Sequence, residues 1–396
     1  MSTDLVKNIK AKLYCPSMWK SVHVDVDSYL TPCCLFIHGD DKKTRITDAN
    51  VEKIETVLLD EFQEYRDQLT EGIWPAGCNQ CKFAEEEGRA SKRQQDMHSL
   101  TYGPGDSSIM LSPPEEVHLE YLQLKTGRLC NLECTICTPS CSTSIAATQL
   151  KKGVISRELY DQLQDEIKWT TSLDQFKKMN PELGFYRIDI AGGEPLMNKT
   201  HFMWLNQLQN TSQTQLLYNT NGTWLPNEKE VDIWKKYKGL WISFSVDSYG
   251  KRFEELRVNA KWDDVLYKMK YMTEEVVRKQ LAHQGGHTNT AIVMTIHEGN
   301  VNDIFDLWEV VTNEINWIQD DPINFNYLYY PEHLAIHNMS KERLQDTIEN
   351  FEKNMHRLPK GLKIRREAEN LQKSMETFLG DKIVEHTRPI GSDHRG

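Results

Sequence analysis

From Glu115 onward, six short runs rich in β-branched and aromatic residues alternate with longer runs of helical period. The strand candidates are VHLEYLQL (117–124), YRIDIAG (186–192), TQLLYNT (214–220), GLWISFSV (239–246), TAIVMTI (290–296) and INFNYLYY (323–330). Between them lie amphipathic stretches such as SRELYDQLQDEIKW, KTHFMWLNQLQN, NEKEVDIWKKY, WDDVLYKMKYMTEEVVRKQL and NDIFDLWEVVTNEI. Strand–helix alternation at this spacing predicts βαβ units and a parallel sheet, hence an α/β fold. Six units make an open, partial (βα)6 barrel, short of the closed barrel of eight, and such folds collect their chemistry on the loops after the strand C-termini.

The flanks read differently. Residues 1–112 show few periodic segments and end in TYGPGDSSIMLSPPEE (101–116), a Gly/Pro/Ser-rich linker. From about Ser340 the chain reads as charged amphipathic helices broken near Leu358-Pro359. The expected division is a cysteine-rich α+β segment at 1–112, the barrel at 113–338 and a helical extension at 339–396, a partition that a chain of 396 residues can support.

All nine cysteines fall within the first 141 residues, at 15, 33, 34, 78, 81, 130, 134, 137 and 141. No apolar run approaches a membrane span, mean hydropathy is −0.61, and no signal-peptide core precedes a cleavage site. The expected compartment is the cytoplasm, where thiols stay reduced, so clustered cysteines point to metal. A net charge of −11 argues against broad nucleic-acid binding, which needs a basic surface.

The stretch CNLECTIC places Cys130, Cys134 and Cys137 in a C-x3-C-x2-C pattern directly after the first barrel strand. Ferredoxin runs use four cysteines, and structural zinc sites four ligands, usually in C-x2–4-C pairs. Three close cysteines instead fit an iron–sulfur cluster with one iron left open. Cys141 reads as a packed thiol, since Ser142 stands where a ferredoxin run has proline. The second strand ends in AGGEPLM, where two glycines allow close backbone approach and Glu194 adds a carboxylate. The third ends in NTNGT and the fourth in SFSVDS. For Asn219, Ser245 and Asp247, turn or capping hydrogen bonds are as natural a use as ligand contact.

CNLECTIC followed by GGEP at the next strand resembles the radical S-adenosylmethionine (radical SAM) superfamily over about residues 115–335. The resemblance implies a [4Fe-4S] cluster held by Cys130, Cys134 and Cys137, with S-adenosylmethionine chelating the open iron and cleaved reductively to a 5′-deoxyadenosyl radical that abstracts hydrogen. It further implies that Gly192, Gly193, Glu194 and Pro195 hold the methionine amino end and that Ser245 and Asp247 meet the ribose. Arg257 would pair with the SAM carboxylate, and Asn219 and Asn221 would face cofactor or substrate. A low-potential electron donor of flavodoxin or ferredoxin type is implied as partner, and a peptide, protein or small metabolite as substrate. One departure stands out: Ile136 occupies the place before the third cysteine where the family usually has an aromatic residue.

The front cysteines have a plain reading as a zinc ribbon. CPSMWKSVHVDVDSYLTPCCLF and CNQCKFAEEEGRASKR also resemble the SPASM/twitch type of auxiliary domain. That likeness implies a second [4Fe-4S] cluster on Cys15, one of Cys33 and Cys34, Cys78 and Cys81. In an extended strand neighbouring side chains oppose each other, so only one of the pair can serve, and Pro32 favours Cys33. Two other readings are a non-catalytic iron–sulfur electron carrier or sensor and a zinc-stabilised binding protein.

Overall fold

A computed structural model of the chain describes residues 13–27, 29–37, 57–86, 88, 91–101, 119–164 and 185–387. The linker at 102–116 and the end of the tail lie outside the described residues. All six expected barrel strands are present: β3 (Tyr121–Lys125), β5 (Arg187–Ala191), β6 (Gln215–Thr220), β7 (Gly239–Ser245), β9 (Asn289–Ile296) and β10 (Ile323–Tyr327). They pair in parallel in that order. This is the α/β architecture expected from the strand–helix alternation.

The sheet continues beyond β3. Strand β1 (Ser21–Val24), from the cysteine-rich front segment, pairs parallel to β3, and β2 (Leu30–Thr31) returns antiparallel to β1. Full order is β10-β9-β7-β6-β5-β3-β1-β2. Lys20 secures the junction, its carbonyl accepting from the Glu120 amide at 2.9 Å and its ammonium meeting the Glu120 carboxylate at 3.0 Å.

The period-2 pattern of the strands sorts the two sheet faces by polarity. One face carries Val22, Leu122, Leu124, Ile188, Ile190, Leu216, Leu240, Ile242, Phe244, Ile292, Met294 and Ile323, all within one buried core. Each such side chain contributes about 1.5–3 kcal/mol on burial. Helix residues Trp234, Phe253, Phe305 and Phe351 join that core. The other face carries Gln123, Asp189, Asn219, Ser243, Ser245, Thr295, Asn324 and Asn326, as the strand registers require.

The helices follow local signals. Asn227 and Glu230 form a reciprocal capping box at Glu228–Trp234. Ser340 caps Lys341–Asn354, and the chain breaks at 355–362 before Lys363–Thr387, as Leu358-Pro359 implies. The stretch expected as one helix from Trp262 divides: an α-helix at Trp262–Tyr271 widens into π-helical turns at Met272–Gln280.

Candidate active site

Because the strands are parallel, the cysteine loop after β3, GGEP after β5, NTNG after β6 and SVDS after β7 all emerge at one edge of the sheet. The loop from β1 to β2 reaches that same edge, and Arg128, two residues before Cys130, pairs there with Asp27 at 2.5 Å.

The first two loops are joined backbone to backbone. Thr126 N–H donates to Ala191 O at 2.8 Å, Gly193 N–H to Gly127 O at 2.8 Å and Glu194 N–H to Leu129 O at 2.7 Å. Gly192 adopts φ +140°, and a Cβ on Gly193 would lie 2.4 Å from Leu129 O. The two glycines are required by this approach, since any side chain at 193 would sit inside the cysteine loop's backbone.

Glu194 is 1% exposed, and its carboxylate faces inward. It accepts from Thr220 Oγ1 at 2.8 Å, Leu196 N–H at 3.0 Å and Asn221 N–H at 2.6 Å, tying the NTNG loop to GGEP. Burial pushes its pKa from 4.5 up to about 7, against the pull of those three donors. An acid with a raised folded pKa favours the folded state most when protonated, so its contribution is full below about 4.5 and is lost as pH rises through about 7. The stability difference between the parent and Glu194→Gln should therefore shrink across that window in thermal melts. At pH 8 Gln, offering N–H where Asn221 N–H needs an acceptor, should cost about 1–3 kcal/mol. A difference that is flat with pH would refute the titration.

Two of the three cysteine sulfurs receive N–H groups. Asn221 Nδ2 approaches Cys130 Sγ at 3.8 Å and donates to Asn131 Oδ1 at 3.1 Å. Arg257 Nη1 approaches Cys134 Sγ at 3.7 Å. Burial raises both thiols, while Asn221 and Arg257 lower them. Cys137 Sγ lies 3.8 Å from Thr138 O and Cys141 Sγ 4.0 Å from Ser140 Oγ, and the mutual influence of the two thiols raises Cys137 and lowers Cys141. Ser142 proves to be a helix cap: its Oγ accepts from Ile145 N–H and donates to Leu132 O at 2.7 Å, closing the cysteine loop onto helix Thr143–Lys151.

Arg257 and Asp247, assigned separately to SAM carboxylate and ribose in the sequence reading, are brought together at 2.7 Å, both buried. A short antiparallel pairing of β4 (Glu133–Cys134) with β8 (Arg257–Val258) puts Arg257 opposite Cys134. Its Nε is buried without a partner. Asp247 also accepts from Thr295 N–H at 3.0 Å, which orients the carboxylate toward the arginine. Asn219 and Ser245 face the polar side of the sheet, half-exposed. The contributions of Asn131, Thr220 and Arg128 were not foreseen; only their place beside the cysteines and within NTNG marked them.

At the front, Cys15, Cys33, Cys78 and Cys81 line one cavity together with Ser17, Lys92, Arg93 and Asp96. Cys34 does not line it; its N–H donates to Gln123 Oε1 at 3.2 Å. Burial raises the thiols of all four lining cysteines. Arg93 braces the wall through Tyr14 O at 2.7 Å and Glu85 at 2.6 Å. Lys92 pairs with Asp96 at 2.9 Å and lies 5.3 Å from the Tyr121 ring centroid. Among the described residues, no three His, Cys, Asp or Glu side chains surround a single point closely enough to hold one metal ion.

Comparison with known proteins gives a family match over part of the chain. Residues 124–304 match the Radical SAM superfamily model, somewhat under half of the 396 residues. No curated protein matches. Among solved structures, native anSMEcpe with bound AdoMet is 14% identical, with 59% of each chain covered and a TM-score of 0.39. Streptococcus suis SuiB bound to S-adenosylmethionine is 13% identical, covering 85% of this chain and 67% of that one at a TM-score of 0.35. SuiB bound to precursor peptide SuiA is 15% identical, covering 71% and 59% at 0.38. The chain thus spans about three fifths of the length of the first of these. No helix among the described residues is long and apolar enough to cross a membrane. The family match thus falls on the segment that carries the cysteine loop and GGEP.

Proposed function

We propose that Cys130, Cys134 and Cys137 hold a [4Fe-4S] cluster with one open iron, and that the protein cleaves SAM there to abstract hydrogen from a peptide, protein or small metabolite. The single observation carrying this reading is the convergence of the cysteine loop and GGEP, hydrogen-bonded at three points. When bound, the cluster and SAM supply the electron transfer and the radical chemistry. The chain's own residues hold and orient. Asn221 and Arg257 bring N–H groups to two of the thiols, which favours the thiolate that metal binding needs. The unpartnered Arg257 Nε and the glycine cradle at 192–193 fit a ligand with a carboxylate and an amino group. Glu194 sets the shape of that cradle through the three donors it gathers.

The reading extends to the front segment. Cys15, Cys33, Cys78 and Cys81 hold a second [4Fe-4S] cluster in a SPASM/twitch-like module at 1–112. Cys33 is the member of its pair that lines the cavity. The cationic Lys92 and Arg93 on the same wall suit a thiolate-rich, negatively charged group. The barrel at 113–338 and helical extension at 339–396 complete the chain, which works in the cytoplasm with a flavodoxin- or ferredoxin-type donor.

Iron analysis tests the arrangement. The anaerobically reconstituted parent should carry about eight irons per chain, and Cys130/Cys134/Cys137→Ala should keep about half, in a cluster whose EPR signal ignores SAM. A zinc site at the front would leave the triple variant with zinc and no cluster, which would overturn the second site.

A further inference from the structure

On the polar face, adjacent strands β3 and β1 carry two side chains with unmet hydrogen-bonding capacity. Lys125 ends β3 on the same side as Tyr121 and Gln123. It makes no hydrogen bond or ion pair among the described residues. Its register neighbour on β5 is Ala191. His23, opposite Gln123 on β1, is 5% exposed. Its Nδ1 lies 2.9 Å from Thr31 Oγ1, whose proton is donated to Cys33 O. The hydroxyl must therefore accept, which places the ring proton on Nδ1 and leaves Nε2 a bare acceptor. That Nε2 is buried with no partner, which costs free energy at this position.

The other charges nearby are paired. Arg187 holds Asp189 at 2.6 Å, Lys92 holds Asp96 at 2.9 Å and Arg257 holds Asp247 at 2.7 Å. Asp25 lies within electrostatic reach of Lys125, and its Oδ1 already accepts from Asp27 N–H at 2.7 Å and Tyr29 N–H at 2.9 Å. The charge of Lys125 also reaches Cys34 on the front segment and Cys141 on the cysteine loop.

We infer that Lys125 forms a recognition site for an acidic residue of a peptide substrate, the carboxylate meeting its ammonium beside the buried ring of His23. One ammonium balances one negative charge, which matches a carboxylate; a phosphate dianion would keep one charge uncompensated. Amide and hydroxyl groups along the rest of the face, among them Asn219, Ser245 and Asn324, suit a peptide backbone. The inference rests on the radical SAM reading and names the substrate class for it.

Affinity selection from a library of N-acetylated pentapeptide amides varied at the central residue tests the site, using the iron-loaded full chain with SAM. The parent should enrich Asp and Glu about tenfold over Asn and Gln, the worth of one charge-assisted hydrogen bond. Lys125→Met should abolish that preference, and Lys125→Glu should turn it toward Lys and Arg. A parent without acidic preference, or a Lys125→Met protein that keeps it, would overturn the inference. SAM affinity measured alongside separates the other source of a carboxylate: a tenfold loss of SAM in Lys125→Met, with peptide preference intact, assigns the lysine to the cofactor and also overturns it. Failure of the parent reading shows elsewhere, as a parent protein that forms no 5′-deoxyadenosine with dithionite.

Discussion

Replacing Cys130, Cys134 or Cys137 by alanine should each abolish formation of 5′-deoxyadenosine from SAM with dithionite, while Cys141→Ala should retain it. The expectation has two grounds. Spacing puts three thiols on one tight loop: Cys137 N–H closes a turn onto Cys134 O at 3.0 Å, and Thr143 N–H returns to Arg128 O at 3.0 Å. Chemistry then asks for one unfilled iron position, which a fourth thiolate would block. The structure makes the fourth cysteine a demanding control, because Cys141 is near enough to Cys137 for the two thiols to shift each other's titration. A thiol so close could replace its neighbour as ligand. Loss of both iron and cleavage in Cys141→Ala, or full cleavage in Cys137→Ala, would overturn the assignment of the three.

Gly193→Ala should cost SAM affinity at least tenfold, with Tm lowered and much of the iron retained. The added Cβ would fall 2.4 Å from Leu129 O and 2.7 Å from Arg128 O, both backbone atoms. Neither can swing aside as a side-chain tip would, so one loop must move and loosen the hydrogen bonds that join it to the other. Overpacking of this kind costs about 1–3 kcal/mol, and 1.4 kcal/mol is a factor of ten in binding. Gly380→Ala is the matched control: that glycine lies in the last helix with nothing within 4 Å of a built Cβ, and alanine there should stabilise by up to about 1 kcal/mol. Unchanged SAM affinity in Gly193→Ala, measured by titration into the reduced protein, would remove the cradle from the proposed mechanism.

The sequence alone determined what depends on near neighbours. Alternation within TQLLYNT and TAIVMTI marked strands because one sheet face must be apolar, and each appears where expected. The cysteine loop and GGEP were legible because a loop of three thiols, or a turn that needs two glycines, is built within a few residues. The break before Lys363 was carried by a single proline. Tertiary structure alone decided the partners of groups far apart in the chain. SVHV at 21–24 reads only as a short strand; its pairing to β3, about 100 residues later, joins the front segment to the sheet. Asp247 and Arg257 read as two independent ligand contacts, yet in the fold they neutralise each other beside Cys134. Their pairing follows from burial: two charges removed from water must find each other, and which two meet depends on how β7 and β8 are placed. Lys125 carries no motif at all. Its unpaired charge emerges only once the sheet has paired the cations around it, because a lysine's role depends on what the fold leaves within its reach.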